Sequence, residues 1–213
     1  MKSPKARTTK VIKILKTVYP NVKTHLQFAN PFELLVSTML SAQCTDKQVN
    51  KVTPGLFAQL PTPQAFDAVP IAELEDLIRS TGFYRNKAKN IKKCSQALVL
   101  NHGGRVPDSL EALVKLPGVG RKTANCVLGS AFGKPGIVVD THVARISKRL
   151  GLTAHSDAVK IEFDLMDLIP TKEWNAFSLR LINFGRDVCK ARKPDCPTCP
   201  LDPLCPFPDK HHT

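Results

Sequence analysis

The residues with the greatest chemical reach lie in one stretch from Leu116 to Ala124, Leu-Pro-Gly-Val-Gly-Arg-Lys-Thr-Ala. Gly118 and Gly120 let the backbone turn with positive φ and leave no side chain between main-chain N–H groups and an incoming phosphate. The turn delivers Arg121 and Lys122 to the start of a helix, where the leading N–H groups have no internal partner and attract anions. A primary amine held there, beside a gripped sugar-phosphate backbone, can attack an anomeric carbon and form a Schiff base. The helix dipole, the adjoining Arg121 and the basic surroundings all favour the neutral amine. Taken alone, Lys122 also reads as a phosphate-binding lysine, and the glycine turn as a packing device between two helices.

Asp140 adds a carboxylate. It ends the apolar run Gly136 to Val139 and opens a helix, 18 residues after Lys122. An N-cap role explains it fully, but the same group could stabilise positive charge developing on a sugar and orient an attacking amine. A third constellation is Cys189, Cys196, Cys199 and Cys205, spaced C-x6-C-x2-C-x5-C within 17 residues. Four thiolates at this density suit a tetrahedral zinc ion or an iron-sulfur cluster. Zinc sites usually bring two C-x2-C pairs, and only Cys196 and Cys199 form one, so the unequal gaps favour a cubane with four separated corners. Arg186, Lys190, Arg192 and Lys193 surround these cysteines, which points to a basic loop held against phosphates. Cys44, Cys94 and Cys126 fall on or beside apolar helical patterns and read as small buried residues.

The chemistry needs a polyanionic partner, and the charge supplies the attraction for one. The 213 residues carry a formal charge of +13. Seven Lys or Arg and no acid lie between Met1 and Phe32, and seven more basic residues with no acid lie between Arg79 and Pro107. The first block lacks the aromatic anchors of an interfacial helix, which places nucleic acid ahead of a membrane surface. No apolar run approaches membrane-spanning length, and the basic N-terminus lacks the hydrophobic core of a secretory signal. The expectation is a cytosolic protein, with four of its seven cysteines packed as ligands rather than spread as a disulfide framework.

Helical periodicity accounts for most of the chain. Expected helices run from Arg7 to Val18, from an Asn30 cap and Pro31 onward, and from a Thr45/Gln48 capping box toward Phe57. The second has an apolar face of Phe32, Leu35, Val36, Met39 and Leu40, and Gln43 falls on the corner between it and the third. Pro63 and Pro70 mark two short helices, and a longer one spans Arg85 to Asn101, closed by Gly103 and Gly104. A capping box of Asp108 and Glu111 starts a helix Ser109 to Leu116 that enters the glycine turn. Its partner runs from Arg121 to Ala131. Helices from Asp140 to Leu150, Asp157 to Ile169 and about Lys172 to Val188 precede the cysteine segment. The fold class expected is all-α, with a possible division near Lys134 to Ile137 that leaves the N-terminal helix free to pack on either side.

With these pieces placed, the chain resembles the endonuclease III family of helix-hairpin-helix DNA glycosylases. The likeness is carried by Pro31 to Leu35, Leu40-Ser41-Ala42-Gln43, Thr45-Asp46, Val49-Asn50-Lys51, Gly82 to Lys87, the Leu116 to Asn125 hairpin, Val139-Asp140-Thr141-His142 and the cysteine spacing. The resemblance implies a two-lobed all-α fold: residues 24–134 as a six-helix barrel with the hairpin, and 1–23 with 135–213 as the lobe of a [4Fe-4S] cluster on the four cysteines. It implies a monomer acting on damaged double-stranded DNA, cytoplasmic and associated with the chromosome. It makes Lys122 the nucleophile and Asp140 the essential carboxylate of a bifunctional glycosylase and abasic-site lyase for oxidised pyrimidines. Adenine-removing relatives lack the hairpin lysine. DNA contacts are implied for Gln43, Phe83, Gly118, Gly120, Arg121, Thr141, His142, Arg186 and Lys193. Gln43 and Phe83 occupy the two positions that fill the gap left by a flipped base. Leucine is common at the second of these, and a histidine is usual where this chain has Phe184. The rival readings are a monofunctional glycosylase and a non-catalytic hairpin protein with a structural or redox cluster.

Overall fold

A computed structural model describes residues 4–210. Among these the regular structure is helical: α1 (Pro4–Val18), α2 (Pro31–Leu40), α3 (Asp46–Gln59), α4 (Pro63–Ala68), α5 (Ile71–Ile78), α6 (Tyr84–His102), α7 (Leu110–Leu113), α8 (Arg121–Ala131), α9 (Thr141–Arg149), α10 (Ala158–Leu168) and α11 (Trp174–Asp187). None of them is long and apolar enough to cross a membrane. Thr24–Lys134 forms one compact unit, and the chain up to Lys23 together with that from Pro135 forms another.

In the first unit α2 is the axis. Asn30 accepts from the Glu33 N–H at 3.0 Å, and the Glu33 carboxylate returns to the Ala29 N–H at 2.6 Å, so the helix begins sharply. All residues from Phe32 to Leu40 except Glu33 are buried, so α2 is enclosed all round rather than presenting the single apolar face its periodicity suggests. Leu34, Leu35 and Leu40 meet Val49, Leu56, Phe66, Ile78, Ile91, Leu98 and Val127 in the core. Thr45 caps α3, but Gln48 does not return to the cap; its side-chain amide donates to the Ser80 hydroxyl at 2.8 Å. The Asp108 cap is also displaced. Ser109 accepts from the Ala112 N–H, while Asp108 takes Lys134 at 2.6 Å, and α7 is one turn that stops at Leu113 instead of reaching Leu116.

In the second unit α1, which starts at Pro4 rather than Arg7, buries Val11 and Leu15 among Ile146, Ile161, Leu165, Phe177 and Leu181. Polar contacts fix it there. Arg7 donates to the Leu150 carbonyl at the end of α9 at 2.8 Å, and Lys16 pairs with Glu173. Glu173 also pairs with Arg180, which donates to the Tyr19 carbonyl at 3.0 Å. Glu173 and Arg180 are both buried, so removing Glu173 would strand the Arg180 charge away from water, whereas Glu173 would keep Lys16 if Arg180 were lost. The segment expected from Lys172 opens as a 3-10 turn, Thr171–Glu173, before α11, and Ile169 stands outside α10 as its extended cap.

Candidate active site and nucleic-acid interface

The glycine turn is built by packing as much as by conformation. Gly118 has φ +75°, and a Cβ there would lie 2.9 Å from Asn90 Cβ on α6 and 2.9 Å from Met39 Cε on α2. Val119 is buried beneath the turn and its N–H donates to the Leu116 carbonyl at 3.1 Å. Gly120 differs: its φ is −89° and a Cβ would meet nothing within 4 Å. It caps α8 with no side-chain acceptor, so the start of that helix is open to an external anion. Arg121 and Lys122 are its first two residues, and Lys122 is exposed.

Two corners of the same unit carry Gln43 and Phe83. Both are non-glycine residues in the left-handed region, with φ 53° and 49°. Lys193 is the third such residue among those described, at φ 50°. Side chains resist this conformation, and it concentrates where function demands a particular presentation. Phe83 is 64% exposed and so is not a core residue. Gln43 is exposed as well. Beside these corners, the Lys87 amine is buried and donates to the Leu40 carbonyl at 2.7 Å and the Thr81 carbonyl at 2.8 Å. Burial pulls its pKa down, and Cys44 partly offsets this.

Asp140, Thr141 and His142 open α9 in the other unit. Asp140 Oδ1 accepts from the Val143 N–H at 2.8 Å, the cap expected from the sequence, while Thr141 is exposed. His142 Nδ1 lies 3.2 Å from Arg145 Nη2, one turn further along. Burial lowers its pKa, Asp140 opposes this, and Arg145 and Arg186 reinforce it, so the ring favours the neutral form. Gly185 is what allows α11 so near: a Cβ there would stand 2.7 Å from His142 Nδ1. Arg186 follows on the exposed side. Phe184 is fully buried in the core and serves as a packing residue.

The same helix anchors the cysteine segment. Arg145 donates to the Cys189 carbonyl at 2.8 Å. Arg149 donates to the Lys190 and Ala191 carbonyls at 2.8 and 3.0 Å and approaches Cys189 Sγ at 3.3 Å. The Asp195 N–H closes the loop onto the Val188 carbonyl at 3.0 Å, with Lys193 exposed within it. Cys189, Cys196, Cys199 and Cys205 line one cavity with Ile146, Phe184 and Leu201. Burial, opposed by the Leu201 backbone and helped by the neighbouring Cys189, Cys205 and Cys196, pushes the Cys199 thiol up to about 11. Yet no three His, Cys, Asp or Glu side chains among the described residues are grouped to hold one metal ion. Four thiols on the wall of one cavity make this the candidate site for a metal centre. The remaining cysteines are packing residues in unit Thr24–Lys134: Cys94 is buried with its thiol pushed up to about 12, and Cys126 lies 3.8 Å from the Thr38 hydroxyl.

Residues 36–171, which include the hairpin and Asp140, match the HhH-GPD superfamily of base excision DNA repair proteins. Over 207 residues the chain is 52% identical to endonuclease III of Synechocystis sp., covering 97% of this chain and 94% of that one. The chain belongs to the endonuclease III family. Endonuclease III of Bacillus subtilis is 51% identical over 88% of this chain and 86% of its own. A solved structure of a trapped endonuclease III–DNA covalent intermediate, the estranged-adenine complex, superposes with a TM-score of 0.93 at 49% identity, covering 97% of both chains.

For this endonuclease III family member, sequence reasoning missed Lys87, Arg145, Arg149 and Gly185. Arg145 had a signal, its i,i+3 spacing from His142; the other three are decided by packing across the fold. The two hairpin glycines should separate in experiment. Gly118→Ala is expected to lower stability by about 1–3 kcal/mol through strain and overlap. Gly120→Ala should leave the unfolding free energy from urea denaturation within about 0.5 kcal/mol of the parent while weakening duplex binding at fixed salt. Equal stability losses for both would contradict this division.

Proposed function

We propose that the protein is a bifunctional DNA glycosylase and abasic-site lyase that removes oxidised pyrimidines from duplex DNA. The observation that carries this reading is the exposed Lys122 at the second position of α8, directly behind an open, glycine-capped helix start. The covalent intermediate trapped in the 49%-identical relative supports it.

In this reading the amides of the turn and the start of α8 grip a phosphate, aided by Arg121. The Lys122 amine bonds to C1′ of the damaged nucleotide while the glycosidic bond breaks and its electron pair leaves with the base, which takes up a proton given up by the amine; the C1′–O4′ bond then opens, O4′ leaving as a hydroxyl as C1′ becomes doubly bonded to the lysine nitrogen. Asp140 stabilises positive charge on the sugar and orients the amine. Loss of a C2′ proton from the resulting imine expels the 3′ phosphate by β-elimination, and water then releases Lys122. Gln43 and Phe83 fill the space of the flipped nucleotide, whose unstacking costs roughly a few kcal/mol. Thr141, His142, Arg186 and Lys193 contact the backbone. The enzyme works as a monomer on chromosomal DNA in the cytoplasm. Residues 24–134 form the barrel lobe with the hairpin; 1–23 and 135–213 form the cluster lobe.

Cys189, Cys196, Cys199 and Cys205 hold a [4Fe-4S] cluster. When bound, it cross-links a segment with little core of its own and so contributes folding energy to the loop that bears Lys193.

Borohydride trapping on a duplex with one oxidised pyrimidine tests the reaction. The parent should give a covalent adduct and a nicked strand, and folded Lys122→Ala should lose both by on the order of a thousandfold or more. Base release that survives without trapping would favour the monofunctional reading; trapping that survives would reject Lys122. For the cofactor, the purified protein should absorb broadly near the blue-violet boundary and contain about four irons per chain. A colourless protein containing zinc would reject the cluster.

A further inference from the structure

Lys87 is the buried cation for which neither packing nor ion pairing accounts. It is 7% exposed, and no carboxylate pairs with it among the described residues. It also lies in the first turn of α6, where the helix dipole opposes an ammonium. A methionine would occupy similar space without any of these costs. What the amine supplies is a bridge. Leu40 is the last residue of α2, three residues before Gln43, and Thr81 closes the 3-10 turn two residues before Phe83. Lys87 donates to both carbonyls, at 2.7 and 2.8 Å. Carbonyls at helix ends lack internal partners, and a buried charged donor between two of them fixes their separation.

A second tie runs in parallel. The Gln48 amide, at the start of α3, donates to the Ser80 hydroxyl at 2.8 Å. The left-handed residues Gln43 and Phe83 therefore stand on corners cross-linked by two polar bridges, one of them buried.

We propose that Lys87 is a positioning residue: by joining the Leu40 and Thr81 carbonyls it holds the Gln43 and Phe83 corners at a set separation, so that both side chains enter the duplex together. This rests on the reading of Gln43 and Phe83 as gap-filling residues. Lys87 touches neither substrate nor sugar. Its loss leaves Lys122 chemistry intact and weakens only the support given to the displaced strand geometry.

The test compares single-turnover excision of one oxidised pyrimidine from two substrates. One is an intact duplex; the other lacks the nucleotide opposite the lesion, so that no orphan base needs a stacking partner. Circular dichroism melting confirms folding of each variant. Lys87→Met should slow excision from the paired duplex by about tenfold or more, a fraction of the unstacking cost, and from the gapped substrate by less than about threefold. Equal slowing on both substrates, or none on the paired one, overturns the proposal. Should Lys87→Met fail to fold, Lys87→Gln is judged by the same ratio, and a ratio equal to the parent's overturns it. Gln43→Ala and Phe83→Ala run alongside. If they show the paired-substrate defect and the Lys87 variant does not, only the role of Lys87 fails; if they show none, the gap-filling assignment fails and takes this role with it.

Discussion

One missing methyl group governs the geometry of the hairpin. With no Cβ, Gly118 sits directly against Met39 of α2 and Asn90 of α6. These two helices are the ones bordered by the Gln43 and Phe83 corners. The contact thus sets where α8 starts, and with it the place of Lys122, relative to both exposed corners of the same unit. Close-packed interiors transmit such a constraint because no neighbour can yield without moving the next. Gly120 carries none of this burden, so its lack of a side chain serves whatever approaches from outside.

The other unit repeats the economy on α9. Its first turn presents Asp140, Thr141 and His142, and its later residues Arg145 and Arg149 reach the cysteine segment through main-chain carbonyls. One short helix therefore orients both the carboxylate and the basic loop bearing Lys193. Gly185 permits this by letting α11 lie against the His142 ring. A net charge of +13 concentrates the partner, but such long-range attraction does not choose among sites on it.

Features decided within a few residues were legible in the sequence. Asn30, Thr45, Asp140 and Asp157 accept from N–H groups two or three positions onward, and chain chemistry alone dictates that. Features decided by distant partners were not. Asp108 and Ser109 are adjacent candidate caps, and Lys134, 26 residues away, decides between them by taking the aspartate. Gln48 gives its side-chain amide to Ser80 rather than closing a capping box. Lys87 looks like any member of its basic block until the fold buries it. Phe83 and Phe184 share a side chain, yet one is 64% exposed and the other 1%. The hairpin and the catalytic candidates were readable because their chemistry is local; the supports beneath them belong to the tertiary structure.

The account depends on a covalent bond between one particular amine and a deoxyribose. Mass-spectrometric peptide mapping of the borohydride-reduced adduct of the unmodified protein tests it most directly, since it lets every lysine compete. The expected result is a sugar remnant on Lys122 alone. A remnant carried by any other amine would contradict the assignment and the geometry built around it.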